Sequence, residues 1–419
     1  MMVGGEPMPS TVTARPWPSR HSATPMLSEG FPTTIIVGAG IAGLACARRL
    51  HNAQRPFLVI SENVAGRVQR SGDGVVNLGA YYVRGDYTHV NRYVQLGRRI
   101  STLTTRRHDA DGSYTLWDRK LLLHLPQGAR FFTKLLTFRR HYEAFKGNCL
   151  TVSQAHAIKS DPYLWRLYHQ PAPEFIRENR IGVIARHYLV PGLHGSTFLP
   201  LDQLTAFSLL LGALPAIVPF YEFTFQPAAL IEGFSHALIE DTVTDITAHD
   251  PGYQVDTHAS GTFTADFVVV ATPVGVSQQL LGLPNIKSPV QAHMFQIVGS
   301  LRDRYDRADI NLFPDSDPTL ALVRQANGSI LFCSRKRHPD FDRYLRSWRI
   351  LEHKHWNPAF HLVGDQLLEC KQAPNLYLIG DHNICGLEDT YLTGLYAANQ
   401  IISTQGAEIA TKPLSTTRT

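Results

Sequence analysis

Residues 33–44 read Thr-Thr-Ile-Ile-Val-Gly-Ala-Gly-Ile-Ala-Gly-Leu, and this stretch decides the fold. Its β-branched apolar start, Thr33 to Val37, is typical of a strand buried on both faces of a parallel sheet. The residues from Ile41 onward favour a helix. Between strand and helix lie three glycines with the spacing G-x-G-x-x-G: Gly38, Gly40 and Gly43. This pattern predicts a tight turn that lets a dinucleotide diphosphate reach the helix N-terminus.

The residues that follow this turn support a dinucleotide site. A second strand is expected at Pro56 to Ile60, and Glu62 comes directly after it. An acid about twenty residues beyond the glycines commonly binds the adenosine ribose. G-x-G-x-x-G alone also occurs in purely structural turns, and that is the alternative interpretation. The strand and the acid favour the dinucleotide.

Composition excludes several classes of protein. The 419 residues are 44% hydrophobic and 18% charged, which is typical of a globular chain larger than one ordinary domain. The net charge of +5 is modest and the basic clusters are short, so nucleic acid is not an expected partner. The five cysteines are widely spaced without C-x-x-C, which predicts neither a zinc site nor a disulfide framework and favours a reducing, cytoplasmic location.

Two segments bear on targeting and membranes. Residues 1–31 are rich in Pro, Ser, Thr and Gly without an apolar signal core, so we expect a disordered leader. Whether it is a targeting segment stays open, and Met26 is an alternative start. The most apolar stretch, Leu204 to Phe220, is short and contains two prolines, so we interpret it as a buried helix and bend or as an interfacial patch. No transmembrane segment is expected, and peripheral membrane contact stays open.

Further motifs resemble the flavin amine oxidase and phytoene desaturase superfamily, which also contains protoporphyrinogen oxidases. The turn Ala65-Gly66-Arg67 is similar to the G-G-R of this family, although its first glycine is replaced. The stretch Val75 to Val83 contains the L-G-A of the family, and we expect a strand whose Gly79 allows close approach to a bound group. The segment Thr262 to Pro273 resembles the A-D-x-V-V-x-A-T-P that closes the dinucleotide-binding sheet.

A second strong motif lies near the end of the chain. Residues 375–379 predict a strand, Gly380 a close turn, and residues 387–402 a helix whose N-terminus can face a polar ligand. In the family, the aspartate after this glycine binds the flavin ribityl chain or the pyrophosphate, and the helix start faces the flavin carbonyls. Asp381 and the backbone at Leu387 and Glu388 match those positions. An enzyme that binds only a nicotinamide cofactor has no use for this second motif.

The resemblance implies an α/β fold. One domain is an FAD-binding, Rossmann-like, doubly wound domain of the glutathione-reductase type, and it is interleaved with a substrate domain of mixed sheet and helices. The implied FAD-domain segments are 32–95, 227–285 and 366–405. The implied substrate-domain segments are 96–226, a helical cap, and 286–365. Residues 406–419 are expected to be a disordered tail.

The resemblance also implies which residues bind FAD. They are Gly38, Gly40, Ile41, Ala42, Gly43, Glu62, Gly66, Arg67, Gly79, Ala80, Val243, Gly380, Asp381, Leu387 and Glu388. We expect noncovalent FAD, because neither Cys370 nor Cys385 stands where the covalent flavins of the family are attached. The implied reaction is hydride transfer to flavin N5 from a C–N or C–C bond of a small, partly hydrophobic substrate. Dioxygen or another acceptor would reoxidise the flavin.

Several functional questions stay open from the sequence. The aromatic-cage tyrosine of amine oxidases would fall at Gly386, and the lysine near N5 has no counterpart because Lys287 lies in a loop-like segment. A flavin-dependent isomerase of the galactopyranose mutase type and a non-catalytic flavin-binding scaffold are therefore alternatives. Candidate catalytic residues are Trp356, His361 and His382, each of which also has an ordinary structural interpretation. His353 and His355 lack supporting ligands, so no metal site is expected.

Overall fold

The computed structural model describes residues 34–411, except for residues 103, 111, 117, 284–289 and 361–365. The predictions for the leader, for Lys287, for His361 and for residues 412–419 of the tail lie outside the described residues. Residues 406–411, which were expected to belong to the disordered tail, continue the last helix. The strands are β1 (Thr34–Ala39), β2 (Phe57–Val64), β3 (Val83–Arg84), β4 (Val94–Ile100), β5 (Arg106–His108), β6 (Ser113–Tyr114), β7 (Phe220–Phe225), β8 (Leu238–Glu240), β9 (Val243–Ala248), β10 (Tyr253–Thr257), β11 (Thr262–Ala265), β12 (Phe267–Val270), β13 (Val290–Leu301), β14 (Ile310–Leu312), β15 (Thr319–Arg324), β16 (Ile330–Ser334), β17 (Leu345–Phe360), β18 (Lys371–Ala373) and β19 (Leu376–Leu378). The α-helices are α1 (Ile41–Asn52), α2 (Arg119–Leu123), α3 (Leu125–Asn148), α4 (Gln154–Ser160), α5 (Pro162–His169), α6 (Ala172–Glu178), α7 (Gly182–Ile184), α8 (Val190–Thr197), α9 (Ala206–Ala213), α10 (Pro227–Ile231), α11 (Val274–Leu281) and α12 (Leu387–Thr411).

The first motif lies in a six-stranded sheet with the order β18-β19-β12-β1-β2-β8. Strand β1 runs parallel to both of its neighbours, β2 and β12. Its side chains alternate between two cores: Ile36 packs on one face of the sheet, and Ile35 and Val37 pack on the other. Burial on both faces explains why the strand is an unbroken β-branched run. The predicted α/β fold class is confirmed.

Helices α1 and α12 pack against each other beside this sheet. A Cβ atom placed on Gly394 would lie only 2.2 Å from the carbonyl oxygen of Ala42. Only a glycine fits that contact, so the first and the last helices approach backbone to backbone. The two motifs are therefore held together by direct packing.

A seven-stranded sheet, with the order β17-β13-β16-β15-β14-β5-β6, forms the second layer. Strands β13 and β17 are long antiparallel neighbours. Helices α3 to α9 surround a separate apolar core that includes Phe138 and Phe207. The boundaries between the two domains stay a prediction, although chain segments from both ends and from the middle do meet in the first sheet.

Some local predictions differ from the structure. The expected strand at Val75 to Val83 is irregular until β3, although Val76 and Leu78 are buried. The stretch Leu204 to Phe220 contains α9 and a bend, and Leu209 is fully buried, which favours the buried interpretation over the interfacial one. Within the described residues, no helix combines the length and the apolar character needed to cross a membrane.

Candidate cofactor and active site

A cavity of about 500 Å³ lies at the carboxyl ends of β1 and β2 and extends to the seven-stranded sheet. Its wall includes residues of α1, α9, α12 and β17. Binding sites for small ligands and cofactors commonly have this size and an opening at strand ends.

The glycines of the first motif have three different roles at this cavity. Gly38 has φ +108°, and a Cβ there would lie 2.8 Å from the carbonyl oxygen of Ala271. A Cβ on Gly43 would lie 2.0 Å from the carbonyl oxygen of Gly38, so this glycine permits the close packing of helix and strand. A Cβ on Gly40 would meet no atom within 4 Å and would point into open space. Gly40 therefore leaves room for a ligand and not for another part of the protein.

The N-terminus of α1 suits an anion. Gly40 is its N-cap residue and offers no side-chain cap, and the first turn contains no acid. The backbone N–H groups at Ile41 and Ala42 lie at the cavity wall, where the helix dipole favours negative charge. The fold thus leaves space and positive potential for a diphosphate at the same place.

Glu62 marks the other end of this part of the cavity. It lies on β2, and its Oε1 accepts a hydrogen bond of 3.0 Å from the hydroxyl of Thr242. Thr242 and Val243 line the same wall. While Thr242 donates to Oε1 of Glu62, the carboxylate can still accept hydrogen bonds from a ribose diol.

Arg67 and Asp381 connect the two sequence motifs. The guanidinium of Arg67 donates two parallel hydrogen bonds, of 2.8 and 2.6 Å, to the two carboxylate oxygens of Asp381. The same guanidinium donates a third, of 3.0 Å, to the carbonyl of Ala359 near the end of β17. Both residues line the cavity, and Asp381 is only 6% exposed. The ion pair therefore fixes the turn after β2, the turn after β19 and the end of β17 at one point.

The start of α12 carries two carboxyl groups with opposite environments. The Glu388 side chain turns away from the cavity and accepts backbone hydrogen bonds from Thr88, His89 and Val90 at 2.9 to 3.0 Å. Burial favours the protonated form of Glu388, but the hydrogen bond to the His89 ring and these backbone hydrogen bonds outweigh it and lower the pKa of Glu388 to about 2. Glu388 does not line the cavity, and its side chain ties α12 to residues 88–90.

Asp389 is fully enclosed and lines the cavity. Both of its carboxylate oxygens accept hydrogen bonds of 2.8 Å from the hydroxyl of Tyr142. Burial raises the pKa of Asp389 to about 6, while the nearby Arg84 opposes the rise. Sequence reasoning did not single out this acid, because its partner on α3 is 247 residues away.

Trp356 and Lys354 stand side by side on the cavity face of β17. The indole N–H of Trp356 donates a hydrogen bond to the carbonyl of Leu78. The ammonium of Lys354 lies 4.7 Å from the indole ring centre, which is within the range of a cation–π contact. Lys354 forms no ion pair with any residue that the structure describes. Sequence analysis missed Lys354, because polar residues lie on both sides of it along β17 and no clear alternation marks its face.

Apolar and aromatic side chains form another part of the cavity wall, which includes Met294, the partner of Lys354 on the neighbouring strand β13. Residues on this wall are Tyr81, Tyr82, Phe198, Phe207, Leu211, Pro215 and Met294. The Tyr81 hydroxyl donates a hydrogen bond of 2.8 Å to the carbonyl of Gly195, and burial raises its pKa well above the usual value. These tyrosines therefore present rings and neutral hydroxyls. The wall suits a partly hydrophobic ligand.

The remaining candidates lie elsewhere. His382 does not line the cavity; it is buried, and its ring lies 3.4 Å from the hydroxyl of Ser277. That position gives it no access to a substrate in the cavity. His353 and His355 point to the other face of β17, where both rings stack on His293. Within the described residues, no group of three His, Cys, Asp or Glu side chains is arranged to hold a metal ion.

Most of the predicted cofactor residues meet at the cavity. The residues that line it are Gly38, Gly40, Ile41, Ala42, Glu62, Gly66, Arg67, Gly79, Ala80, Val243, Gly380, Asp381 and Leu387. Gly43 and Glu388 do not line the cavity. The contact that requires a glycine at position 79 also differs from the prediction, because a Cβ there would lie 1.8 Å from the carbonyl oxygen of Arg67. Gly79 therefore lies close to the protein backbone, and not to a bound group alone.

Comparisons with known proteins agree with this geometry. The family model of the NAD(P)-binding Rossmann-like domain matches residues 36–95. A putrescine oxidase double mutant with redesigned cofactor binding superposes with a TM-score of 0.65 at 13% identity, over 89% of this chain and all of the other. This is the flavin amine oxidase fold.

Other structures with the flavin amine oxidase fold match to a similar extent. A candidate protoporphyrinogen oxidase from Exiguobacterium sp. 255-15 has a TM-score of 0.60 at 15% identity, over 90% of this chain and 100% of the other. Wild-type putrescine oxidase bound to putrescine has a TM-score of 0.60 at 12% identity, over 91% of this chain and 99% of the other. No curated protein matches by sequence. At these identities the likeness defines the fold, and the function has to be argued from the site.

Proposed function

We propose that this chain is an FAD-dependent oxidoreductase of the amine oxidase or desaturase type. The observation that carries the proposal is that Gly40 and the Arg67–Asp381 pair line one continuous cavity. A nicotinamide dinucleotide would need only the first of these. An elongated flavin dinucleotide uses both, because its diphosphate and its ribityl chain are far apart.

The residues present fit FAD at each position. The N-terminus of α1 beside Gly40 would hold the diphosphate, and Glu62 the adenosine ribose. Asp381 and the backbone at Leu387 would hold the ribityl chain and the flavin ring. Burial raises the pKa of the Cys385 thiol far above its usual value, which keeps the thiol protonated and unreactive and supports noncovalent binding.

A bound FAD would supply the hydride acceptor for oxidation of a substrate C–N or C–C bond. The chain contributes orientation and exclusion of water: Trp356 and the aromatic wall around Tyr81 bound the substrate space. Dioxygen or another acceptor would complete the cycle. The substrate is a small, partly hydrophobic molecule.

Lys354 narrows this substrate class. An ammonium without an ion-pair partner in a cavity attracts an anionic group and repels a second cation. We therefore favour substrates that bear a carboxylate over simple diamines such as the putrescine bound by the related oxidase.

The five cysteines are all unpaired, which supports a reducing, cytoplasmic location.

Two measurements test the proposal. The purified chain should show flavin absorbance, and anaerobic addition of a substrate should bleach it. A preparation that takes up no FAD contradicts the proposal. Bound FAD that no amine, amino acid or hydrophobic substrate reduces would favour a scaffold, and product formed only after prior reduction without consumption of an acceptor would favour an isomerase.

A further inference from the structure

Helix α3 carries an apolar surface that the described part of the chain leaves exposed. Its buried face holds Phe131, Leu135, Phe138 and Tyr142, which pack into the core of the helical cap. A second face exposes large apolar side chains at helical spacing. Together with the end of α2 these are Leu122, Leu123, Leu125, Phe132 and Leu136, which are 44% to 78% exposed. We call these five residues the apolar stripe.

Basic residues dominate the charge around the apolar stripe, and the next acid along α3, Glu143, pairs with Lys146. From Arg119 to Tyr142 the sequence contains six lysines and arginines and no aspartate or glutamate: Arg119, Lys120, Arg130, Lys134, Arg139 and Arg140. Four of the six are exposed. None of the six forms an ion pair with any residue in the described part of the chain. Asp118, the acid that precedes them, is engaged by Tyr188, by His187 and by the backbone of Leu121.

An exposed apolar face of this kind needs an explanation. Single exposed leucines are ordinary, but a contiguous apolar set on one helix face usually marks an interaction surface. Apolar side chains combined with a surplus of lysine and arginine are the pattern of helices that lie in the plane of an anionic membrane surface. The apolar groups enter the acyl boundary, and the cations contact the lipid phosphates and carboxylates.

We propose that α2 and the first half of α3 dock this protein on an anionic lipid surface. The apolar stripe supplies the inserted side chains, and the six cations supply the electrostatic attraction. Two signals of this kind are needed for stable anchoring without a spanning helix.

Charge argues against the other occupants. Residues 1–33 contain two acids and two arginines, and residues 412–419 contain Lys412 and Arg418 and no acid, so neither terminus complements a basic surface. A second copy of the chain would bring six cations against six cations. An anionic bilayer is the complementary partner.

The test is co-sedimentation of the full-length protein with vesicles. We expect binding to vesicles of equal parts phosphatidylcholine and phosphatidylserine, weak binding to pure phosphatidylcholine, and loss of binding in high salt. The double variant Leu123→Ser/Phe132→Ser should lower the vesicle partition coefficient about tenfold or more. The double variant Lys120→Gln/Arg140→Gln should also lower the partition coefficient about tenfold or more, but only for the anionic vesicles.

A matched control uses exposed apolar residues on the seven-stranded sheet. Val298→Ser/Leu351→Ser changes two side chains that are 45% and 39% exposed, and it should leave vesicle binding unchanged. Thermal unfolding of each variant checks that the fold is retained. Equal binding of the stripe variants and the wild type overturns the proposal. So does self-association of the lipid-free wild type that the stripe variants abolish, because the occupant would then be a second copy.

Discussion

Arg67 and Asp381 lie 314 residues apart in the sequence and are joined by two parallel hydrogen bonds, of 2.8 and 2.6 Å. Arg67 belongs to the turn after β2, and Asp381 belongs to the turn after β19. The pair is enclosed on the Asp381 side and 27% exposed on the Arg67 side. It holds both motifs of the predicted cofactor site at one position.

Removing one partner of this pair should weaken both the fold and the cofactor site. In Asp381→Asn the guanidinium of Arg67 loses its counter-charge, at a cost of about 3 kcal/mol in the free energy of unfolding. We expect a lower midpoint in thermal unfolding and FAD affinity reduced by about tenfold or more. Asp306→Asn, which breaks the exposed pair with Arg324, is the control and should cost less than about 1 kcal/mol. Equal effects of the two substitutions would contradict this account.

Gly40→Ala should separate folding from cofactor binding. The added Cβ meets no protein atom within 4 Å, so the fold of the apoprotein should be retained. The methyl group would occupy the space of the diphosphate, so FAD affinity should fall by about a hundredfold. Gly275→Ala, which also meets no atom within 4 Å, is the control and should bind FAD normally. Titration of each apoprotein with FAD, followed by flavin fluorescence, measures the difference.

The two acids at the start of α12 predict opposite pH dependences of stability. The folded pKa of Asp389 is raised from 3.8 to about 6, so its contribution destabilises the fold as the pH rises through that range. The folded pKa of Glu388 is lowered from 4.5 to about 2, so its contribution is present above 4.5 and lost as the pH falls to about 2. Relative to the wild type, the thermal unfolding midpoint of Asp389→Asn should rise as the pH rises through this range. Glu388→Gln should be less stable at neutral pH and should approach the wild type in acid; parallel curves for all three proteins would refute the assignment.

Lys354 predicts a change in substrate preference. Lys354→Met keeps the length of the side chain over Trp356 and removes the charge, so KM for substrates with a carboxylate should rise by about tenfold. KM for uncharged substrates should change little, and kcat for both should stay close to the wild type. Lys354→Arg restores the charge and should recover most of the affinity. A loss of kcat with KM unchanged would place Lys354 in the chemical step and not in substrate binding.

Much of the cofactor site could be predicted because it depends on local backbone patterns. Gly38, Gly40 and Gly43 are recognisable from their spacing, and Gly380 with Asp381 from the strand before them. The contacts that complete the site join residues about 300 positions apart and leave no periodic trace. Glu388 is an example: it belongs to the second motif by sequence, but its side chain is committed to the backbone of Val90.

The substrate side of the cavity is harder to predict for a related reason. Strand β17 carries polar residues on both faces, so its period-two pattern is hidden and Lys354 resembles a spacer between two histidines. Phe198 and Leu211 reach the cavity only because the helical cap folds over it. Local propensity does not specify that packing.

The backbone contact between Gly394 and Ala42 has a consequence for biosynthesis. The β1-α1 unit is translated well before β19 and α12, which complete its sheet and its helix layer. A nascent chain that ends before β19 therefore carries the glycine turn without Asp381 and α12. Until β19 is made, the edge of β12 that it covers is open, and an open strand edge is a site for unwanted pairing with other chains.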